Sequence, residues 1–195
     1  MLTRRKLLQM KAALVAMPVA SKVMAGAAHR ESPLLTGSVF FDDRISDSSL
    51  FAQYAGQSGA SANTVGDEIT AASYEALKAS FERRSGIIAG LMPEPMAYLL
   101  EVMARDVGHY RAFRGDHFYA GGKLVGHRFE LPQREVQESD VLPGVTDYWT
   151  GELVDVMRRF DSSAISLSAS PSHSFGNPVP RHDFRLASWI MAPLA

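Results

Sequence analysis

Four short polar groups follow or flank apolar runs in this sequence. They are Asp42-Asp43-Arg44, Gly66-Asp67-Glu68, Gly90 with Glu94, and Arg114 with Asp116 and His117. These residue types carry chemistry. A carboxylate such as Asp42 or Asp67 can act as a general base or as an oxygen ligand for a cation such as Mg²⁺. His117 titrates near neutrality and can act as acid or base. Arg44 and Arg114 can hold a carboxylate or phosphate. Gathered at one end of a sheet, Asp42, Arg44, Asp67, Glu94, Arg114 and His117 would line an acidic crevice with two anion-holding cations. Each also has a plain structural use. Strand ends are polar because loops are wet, Asp42 and Asp67 suit helix caps, and Glu94 suits the start of a helix dipole. Successive strand residues point to opposite faces, so only one of Asp42 and Asp43 faces a crevice.

The stronger catalytic signatures are missing. No G-x-G-x-x-G follows the first strand, and there is no G-x-x-x-x-G-K-[ST] and no G-x-S-x-G. Gly56-Gln57-Ser58-Gly59 has the wrong spacing for a nucleophile elbow. His109, His117 and His127 recur around two strands, yet no two histidines have the i, i+4 spacing of a helical metal site. Neither a metal nor another cofactor is expected.

The elements that would position these residues alternate. Val39-Phe40-Phe41 is a compact apolar strand, and Leu50, Phe51, Tyr54 and Ala55 mark a helix over 46–58, with Ser46 at its start and Gly59 at its end. Ala62–Val65 is a weak second strand. A second helix starts at Thr70, carries Tyr74, Leu77 and Phe81, and closes on Arg83, Arg84 and Gly86. Ile87–Leu91 is a third strand. Glu94 and Pro95 open a helix with Met96, Leu99, Leu100, Met103 and Val107 on one stripe. His109–Phe113 reads as a fourth strand. Gly121-Gly122 makes a turn into a fifth, Leu124–Leu131, and 132–145 is a loop. A helix capped by Thr146 follows, with Trp149, Leu153, Val156, Met157 and Phe160 on one face. Two tail stretches, Ala164–Ala169 and Leu186–Met191, alternate and can pair, with the Ser/Pro-rich 170–183 between them read as a loop too polar for a core. This order predicts a three-layer, Rossmann-like α/β domain: a mainly parallel sheet with antiparallel edge strands and helices on both faces. In such sheets ligands bind outside the carboxyl ends of the strands, where strand order reverses.

The amino terminus carries an address. Thr3-Arg4-Arg5-Lys6-Leu7-Leu8 has the form of a twin-arginine signal, Ala12–Ala20 is too short to span a bilayer and is interrupted by Pro18, and Ala25-Gly26-Ala27 is a small-x-small cleavage site. Residues 1–27 are therefore expected to be a signal peptide, and 28–195 a single α/β domain in the periplasm with no stable membrane span. The chain holds 20 Lys and Arg against 21 Asp and Glu, and five of the cations lie in residues 1–27. The remaining 15 against 21 give about −6, which argues against nucleic-acid binding. There is no cysteine, which excludes Cys-ligated iron–sulfur clusters, c-type haem and Cys-based zinc in this chain.

Asp42-Asp43-Arg44 with Phe51-Ala52, then Gly66-Asp67-Glu68-Ile69-Thr70, then Ile88-Ala89-Gly90-Leu91, resembles a group of short exported proteobacterial proteins with no assigned function. The likeness spans residues 39–117. It implies a shared α/β domain and twin-arginine export, and no activity. The twin-arginine translocase carries folded clients, many of them redox enzymes. With no cofactor signature of its own, the chain is expected to bind a small ligand or to serve as accessory to an exported redox enzyme. The alternative is a hydrolase or transferase using Asp42 or Asp67 with His117.

Overall fold

A computed structural model of the chain describes residues 37–66, 68–83, 87–132, 145–158, 172–176 and 181–193. The expected signal peptide, Asp67, the expected helix stop at Arg84 and Gly86, Phe160 and the expected Ala164–Ala169 strand lie outside the described residues. The described residues form eleven elements: β1 (Gly37–Phe41), α1 (Ser46–Gln57), β2 (Ser61–Thr64), α2 (Ala71–Glu82), β3 (Ile87–Pro93), α3 (Glu94–Asp106), β4 (His109–Ala120), β5 (Lys123–Pro132), α4 (Trp149–Arg158), β6 (Ser172–Gly176) and β7 (Phe184–Pro193). The fold is α/β. Among the described residues, no helix is long and apolar enough to cross a membrane.

Local sequence accounts for most boundaries. Thr70 accepts the first α2 hydrogen bond, from the Tyr74 N–H at 2.8 Å. Pro95 sits in the first turn of α3, where its missing N–H costs nothing, and Glu94 beside it faces the positive end of the helix dipole. Thr146 Oγ1 accepts from the Tyr148 N–H just ahead of α4. Ser46 differs from expectation: it is the first residue of α1, the cap position is Ile45, and no side chain caps the helix. Gly121 and Gly122 both take positive φ, 57° and 75°, the conformation a two-residue hairpin turn demands.

One seven-stranded sheet runs in the order β2-β1-β3-β7-β4-β5-β6. The β2-β1-β3 trio is parallel, as the alternating pattern predicts. The other four pairings are antiparallel, so the sheet is mixed and the expected mainly parallel sheet is corrected. The cause is β7. It pairs antiparallel with both β3 and β4, so β4 runs in the direction of β3 yet never touches it. Leu186–Ala192 are buried without a break, the signature of a strand covered on both faces. The polar stretch read as a loop contains β6, which pairs with β5 at the edge of the described sheet.

Helices cover both faces. Phe51 and Ala55 of α1 and Trp149, Leu153 and Met157 of α4 pack on Val39, Ala89, Leu91, Phe113, Phe129 and Ile190. Leu77 and Phe81 of α2 and Leu100, Met103 and Ala104 of α3 pack on Phe40, Ile88, Met92, Trp189 and Met191. Consecutive strand residues such as Val39 and Phe40 enter opposite cores, following the two-residue period of a strand. Phe40 lies edge-on to Phe81 with ring centroids 5.4 Å apart and stacks on Trp189 at 6.4 Å, tying α2 to the sheet centre.

Candidate functional sites

The reversal of strand order lies between the carboxyl ends of β1 and β3, and it is filled by the chain's own groups. The Asp42 N–H donates to Ser48 Oγ at 2.9 Å, and the Ser48 hydroxyl donates to the Leu91 carbonyl, which stitches β1 to β3 through the first turn of α1. Arg44 grips the Asp42 carboxylate with Nε at 2.9 Å and Nη2 at 2.6 Å, while its backbone N–H donates to the same carboxylate. The Arg44 side-chain hydrogen bond holds the Asp42 carboxyl below its usual range, against the opposing effect of burial. A two-pronged guanidinium grip of this kind fixes a carboxylate rather than freeing it as a base.

The fourth polar group is not at a strand end. β4 continues to Ala120, so Arg114, Asp116 and His117 stand in mid-strand. Their alternation with apolar residues marks two covered faces of one long strand. Arg114 and His117 are three residues apart and point oppositely. Arg114 joins Glu94 on the α3 face. It donates to Glu101 of α3, whose side chain is 2 % exposed, and it lies 3.9 Å from Glu94 and 3.5 Å from Asp116. Arg111 bridges Glu101 and Glu130 at 3.4 and 3.2 Å. Arg185 reaches Glu94 at 2.8 Å and Asp116 at 3.8 Å. Three arginines and four carboxylates thus neutralise one another across α3, β4, β5 and β7.

His117 lies beneath α4 and is completely buried. Its Nδ1 is 2.7 Å from Nδ1 of His127, and its Nε2 is 2.8 Å from Ser188 Oγ. Trp149 covers both rings at centroid distances of 4.5 and 5.2 Å. The Trp149 indole N–H donates to Asp47 Oδ2 at 3.3 Å, and the Tyr119 hydroxyl donates to the same oxygen. Burial first, then the charges of His127 and Arg114, hold His117 well below the ordinary histidine pKa. Burial and Asp47 push the Tyr119 phenol up. Gly115 leaves the room: a Cβ there would stand 2.4 Å from Ser188 Oγ. The result is a Ser188–His117–His127 chain with coupled tautomers. If His117 donates to His127 it accepts from Ser188; if it accepts from His127 it donates to Ser188.

A third place is open. A cleft of about 330 Å³ lies between β2, the loop after it and one face of α2. Phe40, Val65, Ile69 and Leu77 form its apolar lining, and Asn63, Thr64, Glu68, Ser80 and Arg83 its polar lining. Gly66 also lines it, so two members of the second polar group, Gly66 and Glu68, belong to this cleft. The six predicted residues therefore do not share one crevice. Asp42 and Arg44 hold each other, Glu94 and Arg114 share the charged network, His117 is alone on the opposite face, and Asp67 lies outside the described residues. Sequence reading missed Ser188, Trp149, Asp47 and Arg83 as site residues, and gave His127 no partner. The turn at Gly121-Gly122 was a usable signal for His127, since a hairpin there brings it near His117.

No protein-family model, curated protein or solved structure matches the chain.

Proposed function

We propose that this protein is an exported small-ligand-binding α/β protein, working through the cleft between β2 and α2. The cleft is the observation that carries the reading. Its volume of about 330 Å³ lies at the small end of the range for ligand pockets, and its lining combines an apolar surface with a few polar groups that can orient a ligand. Native mass spectrometry of the protein purified from periplasm tests it. A bound small molecule that is lost in Ser80→Phe, which fills the cleft, is the expected result; a ligand-free protein with a panel of metabolites failing to shift its melting temperature sinks the reading.

Export to the periplasm by the twin-arginine translocase rests on residues 1–27, and the likeness to short exported proteobacterial proteins points the same way. Replacing Arg4 and Arg5 together by Lys is expected to leave the protein in the cytoplasm. An undiminished periplasmic fraction would remove the export half of the proposal. Service to an exported redox enzyme remains a narrower version, tested by co-purification. The alternative of a hydrolase or transferase draws no support from Asp42 and His117, because Arg44 occupies the Asp42 carboxylate and His117 is sealed under Trp149, and Asp67 lies outside the described residues.

A further inference from the structure

We infer that the cleft takes a small zwitterion, a free amino acid or close analogue with one carboxylate, one ammonium group and a compact apolar body. This rests on the reading of the cleft as the binding site. Arg83 and Glu68 both line it, and neither pairs with a described residue. They set one charge of each sign beside a single small cleft. A guanidinium offers a planar fork to a carboxylate.

An ammonium group needs three acceptors. The Glu68 carboxylate is one. Asn63 uses its amide N–H groups on the Val39 and Ser61 carbonyls at 3.4 and 3.0 Å, which leaves Oδ1 as a second. The Thr64 and Ser80 hydroxyls offer a third. Ser80 and Arg83 also lie at the carboxyl end of α2, where the helix dipole favours a cation and opposes any anionic charge beyond the one that Arg83 neutralises. That argues against phosphate esters. Phe40 and Leu77, 2 % and 9 % exposed, supply the apolar contact. The volume suits such a molecule and is too small for a dinucleotide.

Isothermal titration of the purified protein with L-leucine and L-phenylalanine, each beside its deaminated acid and its decarboxylated amine, tests the inference. At least one amino acid is expected to bind ten times or more tighter than either fragment, since a charge-assisted hydrogen bond is worth roughly 1.5–3 kcal/mol. Arg83→Met should erase the advantage over the amine, and Glu68→Gln the advantage over the acid. An acid or amine that binds as well as its parent overturns the assignment, and so does full amino-acid affinity in both variants. If none of the six binds while another small molecule is retained and is displaced by Ser80→Phe, the zwitterion is wrong and the small-ligand reading stands. If no small molecule is found at all, both fall.

Discussion

The Nδ1 atoms of His117 and His127 face each other at 2.7 Å across the β4–β5 hairpin, so one proton lies between two buried imidazoles. A second proton has no good place there. His117 therefore resists protonation in the folded protein, whereas in the unfolded chain it takes up a proton near the ordinary value of 6.5. Below that pH the unfolded state binds more protons, and stability falls as pH falls toward the depressed folded pKa. Urea unfolding between pH 7.5 and 4.5 should show a loss of up to about 1.4 kcal/mol per pH unit below 6.5 from this one group. His117→Gln should flatten that slope. A stability that is level from pH 6.5 to 5 would contradict a His117 that resists protonation in the folded protein.

Asp42 gives a second, lower acid window. Its folded pKa is depressed below 3.8 by Arg44, so its contribution is present above that pH and is lost as pH falls through the folded value. Arg44→Met should shrink the loss of stability below pH 4 without touching the slope near pH 6. Thermal melts across the two windows separate the groups.

Glu101 and Glu130 both accept from Arg111, yet they differ in setting. Glu101 is 2 % exposed and also holds Arg114, while Glu130 is 34 % exposed. Removing a partner from a buried ion pair strands the remaining charge. Glu101→Gln should cost roughly 3–5 kcal/mol in denaturant unfolding. Glu130→Gln should cost about 1 kcal/mol or less. Equal effects would show that the network is not organised around Glu101.

Gly115 is the space on which the Ser188–His117 contact depends. Gly115→Ala should destabilise by about 1–3 kcal/mol through overpacking against Ser188 and Phe129. It should also alter the imidazole nitrogen shifts of His117 in ¹⁵N NMR at neutral pH. Ser188→Ala should alter the same shifts without overpacking. Unchanged shifts in both variants would exclude a hydrogen bond between Ser188 and His117.

Much of the framework was legible because periodicity is local. The β1-α1-β2-α2-β3-α3 run, the Thr70 start and the Gly121-Gly122 turn all follow from residues a few positions apart. What failed depends on partners far along the chain. Arg114, Asp116 and His117 look like a strand end until Glu101 and Ser188 are known to meet them from opposite faces. The His117–His127 pairing was nearer to hand, but a regular hairpin turning at Gly121-Gly122 sets His117 opposite Gly126. The irregularity between Phe118 and Tyr119 shifts the register by one and sets it opposite His127. Bulges of this kind re-aim side chains and leave little trace in the hydrophobic pattern. The cleft was half legible: Gly66 and Glu68 were in the right group, but Arg83 reads in the sequence only as part of a helix end.

β7 is the last of the described strands in sequence and the middle strand of the sheet. Its position sets the order of events during synthesis. Until residues 184–193 leave the ribosome, β3 and β4 each present an open edge, and two half-sheets wait without the ladder that joins them. The amino-terminal half cannot finish folding ahead of the rest, as it can in proteins whose early strands pair only with one another. Deleting residues 184–193 would therefore remove the seam of the molecule rather than its fringe.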